Sequence, residues 1–206
     1  MEVSQYLSRY LAPLDAEMRA AVAPLAESSP ALLYGMLRYH LGWADEAFRP
    51  VQVYAGKRLR PCFLLLACEA QGGPWREALP AAAAIELLHN FTLIHDDIED
   101  HDARRRGRPT LWTLWGVPQA INAGDALFAL AYRAMLRLDA GPLPPDRILL
   151  ALRRYSKAIL YITEGQCFDL AFETQEKVAE TPYLQMIERK TAALLGAACE
   201  LGGLLA

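Results

Sequence analysis

The chain has 206 residues, with 21 Lys and Arg against 24 Asp and Glu, a net charge of −3 and 53% hydrophobic residues. That is enough chain for one domain with a substantial core, and it shows no basic excess that would suit nucleic acid. No apolar run approaches the ~18 residues that would suggest a membrane span.

The amino terminus carries Glu2 at once and lacks a basic-then-apolar signal pattern. Cys62, Cys68, Cys167 and Cys199 form no C-x-x-C pair, and each falls in apolar helical sequence. They read as reduced core residues of a cytoplasmic protein. Residues 1–26 predict an amphipathic helix or two, divided at Pro13. Ser28-Ser29-Pro30 is a helix start, and that helix is expected to run to about Leu41 and stop at Gly42. Next comes Ala55-Gly56-Lys57-Arg58-Leu59-Arg60-Pro61, leading into the apolar run CFLLLACEA. Gly56 permits close backbone approach to a ligand. Lys57 and Arg60, three apart, can point the same way at a helix start, where free N–H groups and the dipole attract anions. An ordinary basic turn accounts for these residues equally well.

Gln71-Gly72-Gly73-Pro74 breaks the chain. A long helix is expected from near Glu77, with Ile85, Leu88, Phe91 and Ile94 at helical spacing. It ends in Asp96, Asp97 and Asp100, a D-D-x-x-D. Residues three and four apart are helix neighbours, so the three carboxylates are expected to crowd one patch. Aspartates without His or Cys favour Mg²⁺, which takes one or two protein carboxylates and completes its shell with water and phosphate oxygens. Arg104, Arg105, Arg106 and Arg108 would match the charge of such phosphates. The plainer alternative is a solvated acidic face followed by a basic loop. His89 stands seven residues before Asp96, ~10 Å along the helix.

At Asp96-Asp97-x-x-Asp100 and the trailing Arg105-Arg106-Gly107-Arg108-Pro109, the chain resembles the trans-prenyltransferase (polyprenyl synthetase) family. Ala55-Gly56-Lys57-Arg58-x-Arg60-Pro61 is similar to that family's G-G-K-R-x-R-P, with Ala55 in place of the first glycine. The resemblance implies an all-α, isoprenoid-synthase-type helical bundle around a central cavity, here a single domain over 1–206. It implies Mg²⁺-dependent condensation of isopentenyl diphosphate with an allylic diphosphate, and a homodimer. Lys57, Arg60, His89 and Arg106 would hold isopentenyl diphosphate. Arg105, Lys190 and Thr191 would serve the allylic diphosphate, with metal on Asp96, Asp97 and Asp100. Phe91, five before Asp96, occupies the place of a product-length floor, for a product of about fifteen to twenty carbons, although an ideal helix puts it ~140° around from Asp96 while Thr92 lies beneath.

Beyond Pro109 a helix is expected after Gly116, with Trp112 and Trp115 as packing. Asn122-Ala123-Gly124-Asp125 resembles the family's N-x-G-D and reads as a close helix contact. Gly141–Pro145 is a loop. The long helix after it carries Glu164-Gly165-Gln166 and Asp169. Gln166 would face the cavity, and Asp169 would join the metal network or cap a buried bond. A last helix from near Thr181-Pro182 carries Lys190-Thr191, and its apolar end, Leu194–Leu205, is expected to be partly uncovered. Relatives continue into a second aspartate-rich motif and C-terminal helices absent from this chain, so the 206 residues alone are expected to turn over negligibly. No Ser-His-Asp set, Walker loop or dinucleotide glycine pattern occurs. Two other classes stay open: a non-catalytic subunit of a hetero-oligomeric prenyltransferase, and a helical terpene cyclase.

Overall fold

The computed structural model describes residues 3–54 and 56–206; Ala55, the departure from the glycine pattern, lies outside the described residues. The regular structure of the described chain is almost entirely helical. The helices are α1 (Val3–Ala21), α2 (Ala31–His40), α3 (Leu59–Ala70), α4 (Leu79–Glu99), α5 (Leu111–Trp115), α6 (Val117–Leu136), α7 (Pro145–Phe172), α8 (Glu180–Ile187) and α9 (Ala193–Leu204). The two-residue strands β1 (Arg104–Arg105) and β2 (Arg108–Pro109) pair antiparallel between α4 and α5.

α4 is the axis. Every residue from Ala81 to Leu88 is buried, Glu86 included, and a helix apolar on all sides has to lie at the centre of its bundle. α1, α3 and α6 pack around it. α7 is tied to it where the buried Tyr155 hydroxyl donates to the Ala84 carbonyl at 3.1 Å. Tyr10, Leu14 and Met18 form the buried stripe of α1 at four-residue spacing.

That stripe explains one departure from expectation. Pro13 does not divide the first helix; it lies inside α1. A proline there loses one backbone hydrogen bond, but buried residues on both sides of it share a single face. A short helix, α5, also precedes the helix that starts after Gly116. On it Trp115 stacks on Phe48 at 5.5 Å and meets Tyr39 edge-on at 5.2 Å, a packing role. Of the cysteines, Cys62 and Cys68 are buried as expected, whereas Cys167 and Cys199 are exposed, because each falls on the outer side of its helix.

The apolar end is covered on one side and open on the other. α9 lies against α3, burying Leu194, Ala197, Ala198, Leu201 and Leu205, while Leu195 remains exposed. The contact is close because Gly202 has no side chain. A Cβ there would meet the Leu64 carbonyl oxygen at 2.2 Å. Gly202→Val is therefore expected to force α9 off α3 and to cost about 3 kcal/mol or more, at the upper end of overpacking penalties. Thermal denaturation followed by circular dichroism checks this, and a melting temperature within a degree of wild type would refute it.

Candidate active site

A cavity of about 230 Å³ opens between α4, α7 and the segment joining α8 to α9. It is lined by Arg60, His89, Phe91, Asp96, Gln166, Lys190 and Thr191, all of them expected site residues. Thr92, Leu93, His95, Glu99, Ile162 and Thr163 complete the wall. A larger groove of about 420 Å³ runs between α7 and α9, where Arg154 pairs with Glu200 and Arg189 with Glu164.

One pole of the cavity is cationic. Arg60 stands in the first turn of α3, and its Nη1 lies 3.2 Å from His89 Nε2 on α4. Burial, then the neighbouring charges of Arg60, Arg106 and Arg105, push His89 down to about 3. A neutral His89 accepts from Arg60 at Nε2, so its proton sits on Nδ1. Arg60 Nε is buried with no hydrogen-bond partner among the described residues, a donor whose desolvation an anion would offset.

The other pole is acidic and lies two turns further along α4. Burial pushes the Asp96 carboxyl up to about 6; Lys190 opposes this and Glu99 and Asp100 add to it. Glu99 accepts from Gln166 Nε2 at 2.7 Å. Across from them Lys190 Nζ donates to Asp169, so Asp169 serves as a partner for Lys190. Burial pulls the Lys190 ammonium down, but the Asp169 bond and the charges of Asp96 and Asp100 outweigh it and hold the group above the ordinary lysine value.

The three aspartates do not form one patch. Asp97, 2% exposed, points away from the cavity and accepts from Arg105 Nε at 2.5 Å. Successive helical residues are ~100° apart, and that angle separates Asp97 from Asp96. Asp100 caps the helix and is exposed. Among the described residues no three His, Cys, Asp or Glu side chains converge tightly enough to hold a metal ion by themselves. Mg²⁺ needs only one or two protein carboxylates when phosphates and water supply the rest. Asp96 and Asp100 are the residues that would hold it, with Glu99 beside them. Asp97, expected as a metal ligand, lies outside the cavity and pairs with Arg105 instead.

Arg105 is accordingly engaged, by Asp97 and, at 3.9 Å, by Asp102. Neither Arg105 nor Arg106 lines the cavity. With Asp97 they border a smaller hollow of about 30 Å³ against Tyr39, His40 and Tyr54. Arg106 and Gly107 both have positive φ, 52° and 79°, the hairpin turn that matches the twist of paired strands. The turn brings Arg106 over Gly56, where a Cβ would meet its guanidinium at 2.9 Å. The glycine of one motif thus seats the arginine of the other. Lys57 is exposed in the loop before α3, and the structure does not bring it into the cavity.

Two features of the site lie outside the sequence reading. Glu99 follows Asp96 by three residues, a spacing that places it on the same face of the helix. The buried Glu86 lies 4.0 Å from Arg58 Nη1 and accepts from Asn90 Nδ2 at 3.2 Å; a charged residue inside an apolar run was its only signal.

The raised Asp96 carboxyl gives a pH prediction. A cation requires the ionised form, so Mg²⁺-dependent ligand binding should weaken about tenfold between pH 7 and pH 5, the proton competing below about 6. Calorimetric titration of a diphosphate analogue at both pH values, with the analogue's own protonation followed by phosphorus NMR, checks it. A dependence no larger than the analogue's own protonation accounts for would refute it.

Residues 42–206 match the Polyprenyl synthetase family. The chain is 45% identical over 171 residues to a (2E,6E)-farnesyl diphosphate synthase of Mycobacterium tuberculosis, covering 83% of this chain and 46% of that protein. It is 49% identical over 150 residues to a geranylgeranyl diphosphate synthase of Methanosarcina mazei, covering 73% and 45%. The crystal structure of a polyprenyl synthetase from Streptomyces coelicolor A3(2) superposes with a TM-score of 0.88 at 37% identity, over 99% of this chain and 58% of that one. The chain spans about half the length of the curated relatives it matches. An axial α4 ending in aspartates, a cationic pole on α3 and a sequence match over most of the chain agree: the chain belongs to the Polyprenyl synthetase family.

Proposed function

We propose that this cavity binds an allylic prenyl diphosphate with Mg²⁺, and isopentenyl diphosphate beside it, for head-to-tail condensation into a short all-trans prenyl diphosphate. The observation that carries the reading is the single cavity with two charged poles ~10 Å apart along α4, Arg60–His89 and Asp96–Glu99–Lys190, joined by an apolar wall of Phe91, Leu93 and Ile162.

When bound, Mg²⁺ supplies positive charge to a leaving diphosphate. The chain's own residues do the rest. Lys190 places a fixed ammonium where charge develops on that leaving group. Arg60 and the Nδ1–H of neutral His89 hold the second diphosphate, so that its double bond meets the allylic carbon by proximity. The Thr191 hydroxyl and the Gln166 amide lie on the wall near the electron-poor carbon chain. The apolar wall excludes water that would quench that carbon as an alcohol. The same reading carries a homodimer and a cytoplasmic setting. Among the described residues no helix is long and apolar enough to cross a membrane.

The test is calorimetric titration of the chain with geranyl thiolodiphosphate, with and without Mg²⁺, followed by isopentenyl diphosphate. Metal-dependent binding of the first and binding of the second supports the reading. Metal-independent or absent binding of the first refutes it.

A further inference from the structure

Lys190 and Thr191 do not stand on an α-helix. Between α8 and α9, from Glu188 to Ala192, the backbone widens into a single π-helical turn, a rare irregularity that gathers at functional sites. Two side chains of α7 grip it. Glu164 accepts from Arg189 Nη1 at 2.5 Å, and Asp169 accepts from Lys190.

Gly165 lies next to the first of these and one turn before the second, and there the two main chains touch. A Cβ at Gly165 would lie 2.2 Å from the Lys190 amide nitrogen, 2.6 Å from Lys190 Cα and 2.7 Å from the Arg189 carbonyl carbon. All three are backbone atoms, so no change of rotamer could relieve the clash; even alanine requires the turn to move off α7.

We infer that Gly165 is a positioning residue for the allylic diphosphate site, one that acts through Lys190. Its bare face lets the widened turn nest into α7. The nesting fixes the Lys190 stem so that its ammonium lies between Asp169 and the cavity wall that Asp96 shares. The inference rests on the diphosphate reading of the cavity.

Gly202 supplies the contrast. It makes an equally close backbone contact, 2.2 Å from the Leu64 carbonyl oxygen, but lines no part of the cavity. A glycine that serves packing alone should behave like Gly202.

The experiment is a double-mutant cycle read by Mg²⁺-dependent binding of geranyl thiolodiphosphate to the chain. Lys190→Ala should weaken binding about ten- to hundredfold, the loss of a charged hydrogen bond. Gly165→Ala should weaken it comparably, and the double variant should be no worse than either single one, since residues acting as one unit do not add. Gly202→Ala should lower the melting temperature and leave the affinity within about twofold of wild type, as expected of a distant, independent site. Should Gly165→Ala fail to fold, deletion of Ala192 removes the extra residue of the turn with Gly165 in place. That variant should show the same loss, and no further loss with Lys190→Ala. Losses at positions 165 and 190 that multiply, wild-type affinity in Gly165→Ala, or wild-type affinity in Lys190→Ala would each overturn the inference. A wild-type chain without Mg²⁺-dependent affinity would instead overturn the diphosphate reading beneath it.

Discussion

Replacing Asp96 with alanine is expected to abolish Mg²⁺-dependent binding of an allylic diphosphate analogue while leaving the helical bundle folded. Asp96 is the carboxylate of the acidic triplet that lines the cavity; Asp97 is committed to Arg105 and Asp100 is exposed at the helix cap. Removing groups that merely orient metal ligands lowers affinity about 10–100-fold, so loss of the ligand itself should cost at least about 100-fold. Stability should move the other way. A carboxyl pushed up to about 6 is one whose ionised form the fold disfavours. Its penalty is present in full above about pH 6 and fades as pH falls toward the unfolded value near 3.9. The metal-free Asp96→Ala chain should therefore melt no lower than wild type at pH 7, and the difference should shrink toward pH 4. Metal-dependent affinity equal to wild type would refute the assignment; a collapse in melting temperature would make Asp96 a structural residue.

The sequence marks α4 plainly, because its apolar residues repeat without a breaker and the aspartates close it. It does not reveal how far the cavity wraps around that helix. His89, Phe91, Thr92, Leu93, His95, Asp96 and Glu99 all line it. At ~100° per residue they span roughly 200° of the circumference. A reading in single faces is too narrow for such a helix: it groups Asp97 with Asp96, which the cavity excludes, and passes over Glu99, which it includes. The hairpin has a different cause. Arg106-Gly107 is not a common turn pair, and the left-handed Arg106 is a local strain that tertiary contacts, here with Gly56, must sustain. Pro13 is the converse case, a strong local breaker overruled by the buried stripe of α1. Lys190 and Thr191 are recognisable only as a pattern, since nothing in Glu188–Ala192 announces a π-helical turn. The visible sign lies twenty-five residues away, at Gly165.

Phe91 lines the wide wrap of the cavity without standing beneath Asp96. α4 runs without a break from Leu79 to Glu99, so no kink brings Phe91 under the aspartate. The cavity reaches around to Phe91, whose ring lies 4.7 Å from that of His95 and 5.1 Å from that of Phe128 on α6. Phe128 in turn meets Tyr132 at 5.4 Å, and Tyr132 meets Tyr155 at 5.3 Å. The rings form a series from α4 across α6 to α7, so truncating the first should deepen the cavity by one ring and stop at the second. For Phe91→Ala the expected result is a shift of one prenyl unit in the longest allylic thiolodiphosphate bound at wild-type affinity, and an equal shift in product length wherever the fold turns over. The half-buried ring should cost less than the about 3–5 kcal/mol of a fully buried phenylalanine, and a longer ligand tail filling the space should recover part of it. Titration with geranyl, farnesyl and geranylgeranyl thiolodiphosphates, alongside melting curves with each ligand, measures both effects. An unchanged length profile with a lowered melting temperature would show that Phe91 only packs against α6. In that case the floor would lie elsewhere on the wall, with Thr92 and Leu93 the next residues to truncate.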